Sequence, residues 1–172
     1  MFTQTQIDSI ISLLSESSPE TKIYFGCDSV RFRSKGRTYA KFATVCIVHM
    51  EGRRGCRIFS NKSVEPDFDM KQNRPRMRMM NEVMKVCELY NQLMPHIEAL
   101  AEIYEDKNGD IQIREFPIEI HLDINTDPKH GSNCAAKEAA GYVLASTGIE
   151  PMLKPDSWAA SFGADAVAHS RT

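Results

Sequence analysis

Between Lys22 and Val64 the chain runs through three β-rich segments separated by only two short breaks, and this spacing limits the folds open to it. In Lys22–Asp28, Ile23, Phe25 and Cys27 alternate with Tyr24, Gly26 and Asp28, the period of a half-buried strand. A basic turn, Arg31–Arg37, contains Gly36 and leads into the long β-rich run Tyr39–Met50. A tight turn at Gly52–Gly55 leads into Cys56–Val64. Connections this short join antiparallel neighbours, because a parallel return needs a crossover of about a dozen residues or more. The prediction is a three-stranded antiparallel meander.

The segments around the meander follow helical and strand periods in alternation. Ile7, Ile10, Ile11 and Leu14 place a helix over Thr5–Ser15, with Thr5 and Asp8 as its capping box. Arg76–Leu93 is the longest helical pattern; Pro95 is expected to kink or end it, with Ile97–Tyr104 continuing helically. A turn is expected around Asn108-Gly109, then a fourth strand over Phe116–Asn125. A small-residue helix over Ser132–Ser146 stops at Gly148, and Ile149–Lys154 forms a short fifth strand. Pro155-Asp156-Ser157 caps a last helix running to about His169. Three strands, helix, strand, helix, strand, helix is a mixed α/β order, with a meander feeding a parallel portion. A length of 172 residues suits one domain over 1–172, with 1–19 as an N-terminal helical extension.

Composition narrows the class without naming a chemistry. Hydrophobic residues at 42% and charged residues at 26% exclude a disordered tail, a coiled coil and a collagen. Phe42–Met50 is far shorter than the roughly 20 apolar residues of a membrane span. Met1–Gln6 carries no positive charge and precedes no long apolar run, so no signal peptide is expected. Cys27, Cys46, Cys56, Cys87 and Cys134 form no CxxC pair, which argues against a zinc ribbon and for thiols in a reducing compartment, hence the cytoplasm. The net charge of −2 speaks against a uniformly basic nucleic-acid binder. Its distribution is uneven, though: residues 31–78 hold 13 Lys and Arg against 4 Asp and Glu, while residues 79–172 hold 7 against 15. A basic half facing an acidic half suits a protein that handles a polyanion and loads cations, as well as two solvated faces.

Four carboxylates stand out by position. Asp28 ends an apolar strand, just before a basic turn. Asp123 lies near the carboxyl end of the fourth strand, where open α/β sheets place ligands, on the face opposite Ile118, Ile120, Leu122 and Ile124. Glu82 shares a helical line with Met79, Val86, Leu89 and Leu93, so it leans inward and needs a partner: a metal ion, or Arg78 or Lys85 one turn away. Asp165 sits in a last helix crowded with Ala159, Ala160, Ser161, Gly163, Ala164, Ala166 and Ala168, small enough for close approach to a sheet. Hard oxygen donors without cysteine or histidine select Mg²⁺ or Mn²⁺. Two such ions roughly 3.5–4 Å apart can activate a water and stabilise the leaving oxygen of a phosphodiester.

The run Tyr24-Phe25-Gly26-Cys27-Asp28-Ser29, the stretch Arg78-Met79-Met80-Asn81-Glu82-Val83, the strand His121-Leu122-Asp123-Ile124 and the ending Lys154-Pro155-Asp156-Ser157-Trp158-Ala159-Ala160-Ser161 through Ala164-Asp165 resemble the YkuK family of ribonuclease H-like nucleases. The resemblance spans about residues 20–169. It implies a ribonuclease H-like fold: a five-stranded mixed sheet, its first three strands antiparallel, flanked by helices. Carried over position by position, it also implies that Asp28, Glu82, Asp123 and Asp165 are the catalytic, metal-holding carboxylates. The expected activity is metal-dependent hydrolysis of nucleic-acid phosphodiester bonds, on RNA, DNA or a hybrid. The alternative is a non-catalytic nucleic-acid-binding or assembly module on the same fold.

Arg31, Arg33, Lys35 and Arg37, interleaved with Phe32 and Tyr39, suit a hairpin that contacts a nucleic-acid backbone; Arg74, Arg76 and Arg78 extend the patch. Lys154, just ahead of a helix with free N–H groups, suits a phosphate contact. His121 reads first as a structural histidine, while His130 and His169 are candidates for proton delivery. No Walker A, GxGxxG or GxSxG sequence is present, which speaks against a phosphotransferase.

Overall fold

The computed structural model describes residues 1–18, 20–52, 55–69, 75–100, 103–105, 111–113 and 115–169. Thr3, two residues ahead of the expected cap, starts helix α1 (Gln4–Ser15): its hydroxyl accepts the Gln6 N–H, and the Gln6 side chain accepts the Thr3 N–H. That reciprocal pair replaces the one expected at Thr5 and Asp8. Ile7, Ile10 and Leu14 turn inward and join the main core.

Strands β1 (Lys22–Ser34) and β2 (Arg37–His49) are each longer than their apolar cores suggest. They pair antiparallel from Lys22 opposite His49 out to Ser34 opposite Arg37. Only Lys35 and Gly36 make the turn, with φ of 48° and 76°, the left-handed pair that a two-residue hairpin demands. Arg31 and Arg33 are therefore strand residues and not part of a loop. β3 (Cys56–Pro66) pairs with β2 along its whole length.

Helix α2 (Arg76–Glu98) passes through Pro95 without ending there. Leu93 and Ile97, on either side of the proline, are both buried in the core, and this packing offsets the one hydrogen bond that proline removes. The expected helical continuation to Tyr104 is corrected: Ile103–Glu105 forms β4, paired antiparallel with β5 (Ile111–Ile113) in a separate two-stranded sheet. The turn expected at Asn108-Gly109 lies outside the described residues.

β6 (Ile118–Asn125) returns to the main sheet parallel to β1, with Ile23 opposite Ile118 and Cys27 opposite Leu122. Helix α3 (Ala136–Thr147) comes next in the chain and ends at Gly148, whose φ of 74° suits glycine. β7 (Met152–Lys154) pairs parallel with β6. The strand order is β3-β2-β1-β6-β7, a five-stranded mixed sheet whose first three strands are antiparallel.

The two faces of the sheet are covered differently. Phe25, Phe42, Ile120 and Leu122 point toward α1, α2 and α3 and build the large core. Tyr24, Val45 and Ile47 point the other way, under the last helical segment. That segment opens as a wide π-helical turn, Ala159–Ala164, and tightens into α4 (Asp165–His169). Its approach is close: a Cβ on Gly26 would lie 3.0 Å from the Ala160 nitrogen and 3.1 Å from the Ala159 carbonyl carbon. Among the described residues no helix is long and apolar enough to cross a membrane.

Candidate active site

Parallel pairing of β1 with β6 ends at Cys27 and Leu122. Asp28 and Asp123 are the next residue on each strand, so two carboxylates stand side by side on adjacent inner strands where those strands part. Both point to the face covered by the π-helical turn, the face of Gly26 and His121. Asp165 joins them from α4. An extra residue in a helical turn rotates the rest of the helix by roughly 100°, and the Asp165 N–H accordingly reaches back to the Ala160 carbonyl.

Glu82 comes from the opposite face, on α2. Ser29, whose side chain alternates with that of Asp28, donates its hydroxyl to Glu82 Oε1 at 2.5 Å. Arg78, one helical turn before Glu82, donates Nη1 to the Ser29 hydroxyl at 2.7 Å and stands 3.7 Å from Glu82 Oε1. The inward stripe of α2 thus carries a carboxylate that is 3% exposed. Its nearest partners are a serine and an arginine. Lys85, the other cation one turn away, pairs with Glu65 instead.

These groups perturb one another. Burial, then the Asp123 carboxylate, pushes the Asp28 carboxyl up to about 7; the Ser29 N–H opposes the shift, while Asp165 adds repulsion and a shared hydrogen bond. Burial raises Glu82 well above the ordinary carboxylate range, and Asp28 and Asp123 add to it; the Ser29 hydroxyl and Arg78 pull the other way. All four sequence-predicted acids therefore belong to one electrostatic cluster. Two nitrogen groups are close by: the Lys154 ammonium lies 2.6 Å from Asp123 Oδ1, and His169 Nδ1 lies 2.9 Å from Asp165 Oδ1. Ser161 also donates to Asp123, at 2.8 Å. Among the described residues no group of three or more His, Cys, Asp or Glu side chains is arranged to hold a metal ion as it stands.

The basic residues divide into two sets. Arg31 is committed within the fold: Nε pairs with Asp67 at 2.8 Å, and Nη2 donates to the Asp69 carbonyl at 2.8 Å. Arg76 pairs with Glu138. Arg33, Lys35 and Arg37 are exposed, and no ion pair engages them among the described residues. Arg74 lies outside the described residues. His130 is exposed, and its N–H is bonded to the Asp127 carbonyl.

Three features of the site go beyond the sequence expectations. His121 is fully buried, ringed by Tyr24 and Trp158, and its Nδ1 accepts the Ala159 N–H at 3.0 Å while Nε2 faces Glu119 at 3.1 Å. It is the structural histidine expected, but it also consumes an N–H at the helix start that was available in principle for phosphate. The cap expected from Pro155-Asp156-Ser157 is corrected: Trp158 stands at the N-cap and makes no side-chain cap bond, the Ser157 hydroxyl is buried, and the side chain that accepts the first helical N–H is that of His121. Asp69 is the third: its carboxylate accepts the N–H groups of both Met77 and Arg78, capping α2 from outside its own sequence. No local pattern signals it, because the cap stands eight residues ahead of the first amide it serves.

The family model described as Ribonuclease H-like matches residues 5–169. The chain belongs to this family, and its five-stranded mixed sheet is a ribonuclease H-like fold. No curated protein matches the chain, and no solved structure matches it.

Proposed function

We propose that this chain is a metal-dependent nuclease that hydrolyses nucleic-acid phosphodiester bonds, and that within the ribonuclease H-like family it is of the YkuK type. The observation that carries the reading is the convergence of Asp28, Asp123 and Asp165 in one partly buried spot, where burial, and then the Asp123 and Asp165 carboxylates, raise the Asp28 carboxyl to about 7. Acids driven together from two strands and two helices favour a bound cation over mutual repulsion. The donor set is all carboxylate oxygen, which suits Mg²⁺ or Mn²⁺. Asp28, Glu82, Asp123 and Asp165 would hold the ions, two in number for the two-metal mechanism. Such ions supply Lewis-acid polarisation of the phosphate and an acidified water.

The chain's own residues divide the remaining work. Ser29 and Arg78 orient Glu82 and oppose the rise that burial imposes on it. Ser161 orients Asp123. Lys154, already beside Asp123, is placed to turn its ammonium onto a substrate phosphate, and Arg33, Lys35 and Arg37 hold the strand further along.

The test is cleavage of single-stranded and duplex RNA and DNA and of a hybrid, with Mn²⁺, Mg²⁺ or EDTA. Cleavage that needs the ion and is lost in Asp123→Asn is expected. No cleavage of any substrate, or full activity in Asp123→Asn, overturns it. One observation favours a second reading, a nucleic-acid-binding module without catalysis: Lys154 already neutralises Asp123. Salt-dependent binding with no turnover would support it.

A further inference from the structure

Phe68 is 68% exposed, an unusual position for a phenylalanine. It lies just past the end of β3, between two clefts. One, of about 490 Å³, faces the helical side and is lined by Phe42, Met77, Met80 and Met84 among others. The second, of about 400 Å³, is formed by Arg37, Thr38, Tyr39, Pro66, Asp67 and Phe68.

The second cleft has the composition of a base-binding slot. Tyr39 is the register partner of both Phe32 and Pro66, so the three side chains leave the same face of the sheet in one row. Phe32 stacks on Tyr39 with ring centroids 5.7 Å apart and planes 24° from parallel. That stack stiffens one wall, and Phe68 supplies the other. The floor is fixed from beneath. The Asp67 side chain is only 1% exposed and is held by Arg31, and the Asp69 N–H donates to Asp67 at 2.9 Å. Arg37, at the mouth, and Arg33 and Lys35, on the same hairpin tip, are exposed and in no ion pair among the described residues.

Position links the slot to the acidic cluster. Phe32 and Asp28 are four residues apart on β1 and alternate to the same face. At about 3.3 Å per residue the separation is roughly 13 Å, or about four nucleotides at the ~3.4 Å rise of a stacked strand.

We propose that the cleft between Tyr39 and Phe68 binds an unpaired nucleobase, with Arg37 on the adjoining phosphate, so that the protein takes a single-stranded segment beside its acidic cluster. The inference rests on the nucleic-acid part of the reading above, and it deepens that reading by naming the substrate class. Charge chooses the occupant: aromatic walls beside free cations suit a base and its phosphate, where an apolar peptide would leave the cations unused. Every base has a π-face, so the slot is tolerant of sequence.

The test uses the full chain in EDTA, so that binding is read without cleavage. Fluorescence anisotropy measures affinity for a labelled single strand, as RNA and as DNA, and for the same strand annealed to its complement, over a salt series. Phe68→Ala and Tyr39→Ala are expected to weaken single-strand binding about tenfold. Neither should change duplex binding or the slope of log affinity against log salt. Phe68→Trp should restore affinity, and Arg37→Gln should lower the slope by about one phosphate contact. Thermal unfolding checks that each variant is folded; Phe68, being exposed, is expected to be silent there. Single-strand affinity unchanged in Phe68→Ala, equal loss on single strand and duplex, or no binding by the wild-type chain overturns the proposal. Tight binding with no cleavage when Mn²⁺ is restored leaves the slot standing and removes the nuclease reading.

Discussion

The Ser29 hydroxyl donates to Glu82 Oε1 at 2.5 Å, across 53 residues of sequence and from strand to helix. Ser29 adjoins Asp28, so one backbone step sends an acid to one face of the sheet and a helper for a second acid to the other. This bond, with Arg78 behind it, opposes the burial that raises Glu82 well above the ordinary carboxylate range.

Removing it has a signed consequence. In Ser29→Ala, Glu82 titrates higher, because a bond to the charged form is lost. The acidic limb of the kcat/KM–pH profile for Mn²⁺-dependent cleavage should move upward by about one unit, a roughly tenfold loss where that limb is steep. Arg78→Gln should move it the same way. An unshifted limb in both variants would separate Glu82 from the reaction.

Asp28 makes stability itself pH-dependent. Its carboxyl is raised from an ordinary 3.8 to about 7 in the folded chain, so the native state holds a proton that the unfolded state has released. The stability this contributes is present below the unfolded value and is lost as pH rises through about 7. Asp28→Asn should therefore be more stable than wild type at pH ~8, by ~1–3 kcal/mol, with the difference vanishing near pH ~4. Urea unfolding at the two pH values measures it.

Divalent ions should act on the same repulsion. Mn²⁺ at millimolar concentration is expected to raise the wild-type Tm at pH ~8, with EDTA reversing the rise. In Asp28→Asn/Asp123→Asn the rise should disappear. Equal shifts in both proteins would place the ion elsewhere.

Gly26 tests the packing that brings Asp165 to the sheet. A methyl there would press on the backbone of Ala159 and Ala160, which has no side chain to swing aside. Gly26→Ala should destabilise the fold by ~1–3 kcal/mol in chemical unfolding and lower cleavage further by moving α4 away from Asp28.

Much of this arrangement can be read along the chain. Alternation in Ile118–Asn125 places Asp123 opposite the core face, and the structure keeps it there, with Ile120, Leu122 and Ile124 buried. The stripe through Met79, Glu82, Val86 and Leu89 marks Glu82 as an inward acid, because one residue facing its helical neighbours needs only the 3.6 period to be seen. The small residues of the last helix announce close approach, and Gly26 receives it. Local rules left open whether α2 ends at Pro95, which it does not, and misplaced the start of α1. In the first case packing on both sides carries the helix through. In the second, Gln6 also donates to the Ser60 carbonyl, a partner 54 residues away, which draws the cap to Thr3.

Element order, the strand and helix periods and the inward lean of Glu82 come from the sequence alone, because periodicity depends only on near neighbours. Tertiary structure decided which acids meet and which cations they meet. It committed Arg31 to Asp67 and Asp69 and left Arg37 beside Tyr39 and Phe68, in no ion pair among the described residues. The reason is physical: burial and Coulomb repulsion depend on distance through space, and Asp28, Glu82, Asp123 and Asp165 acquire a common environment only when β1, α2, β6 and α4 close on one another.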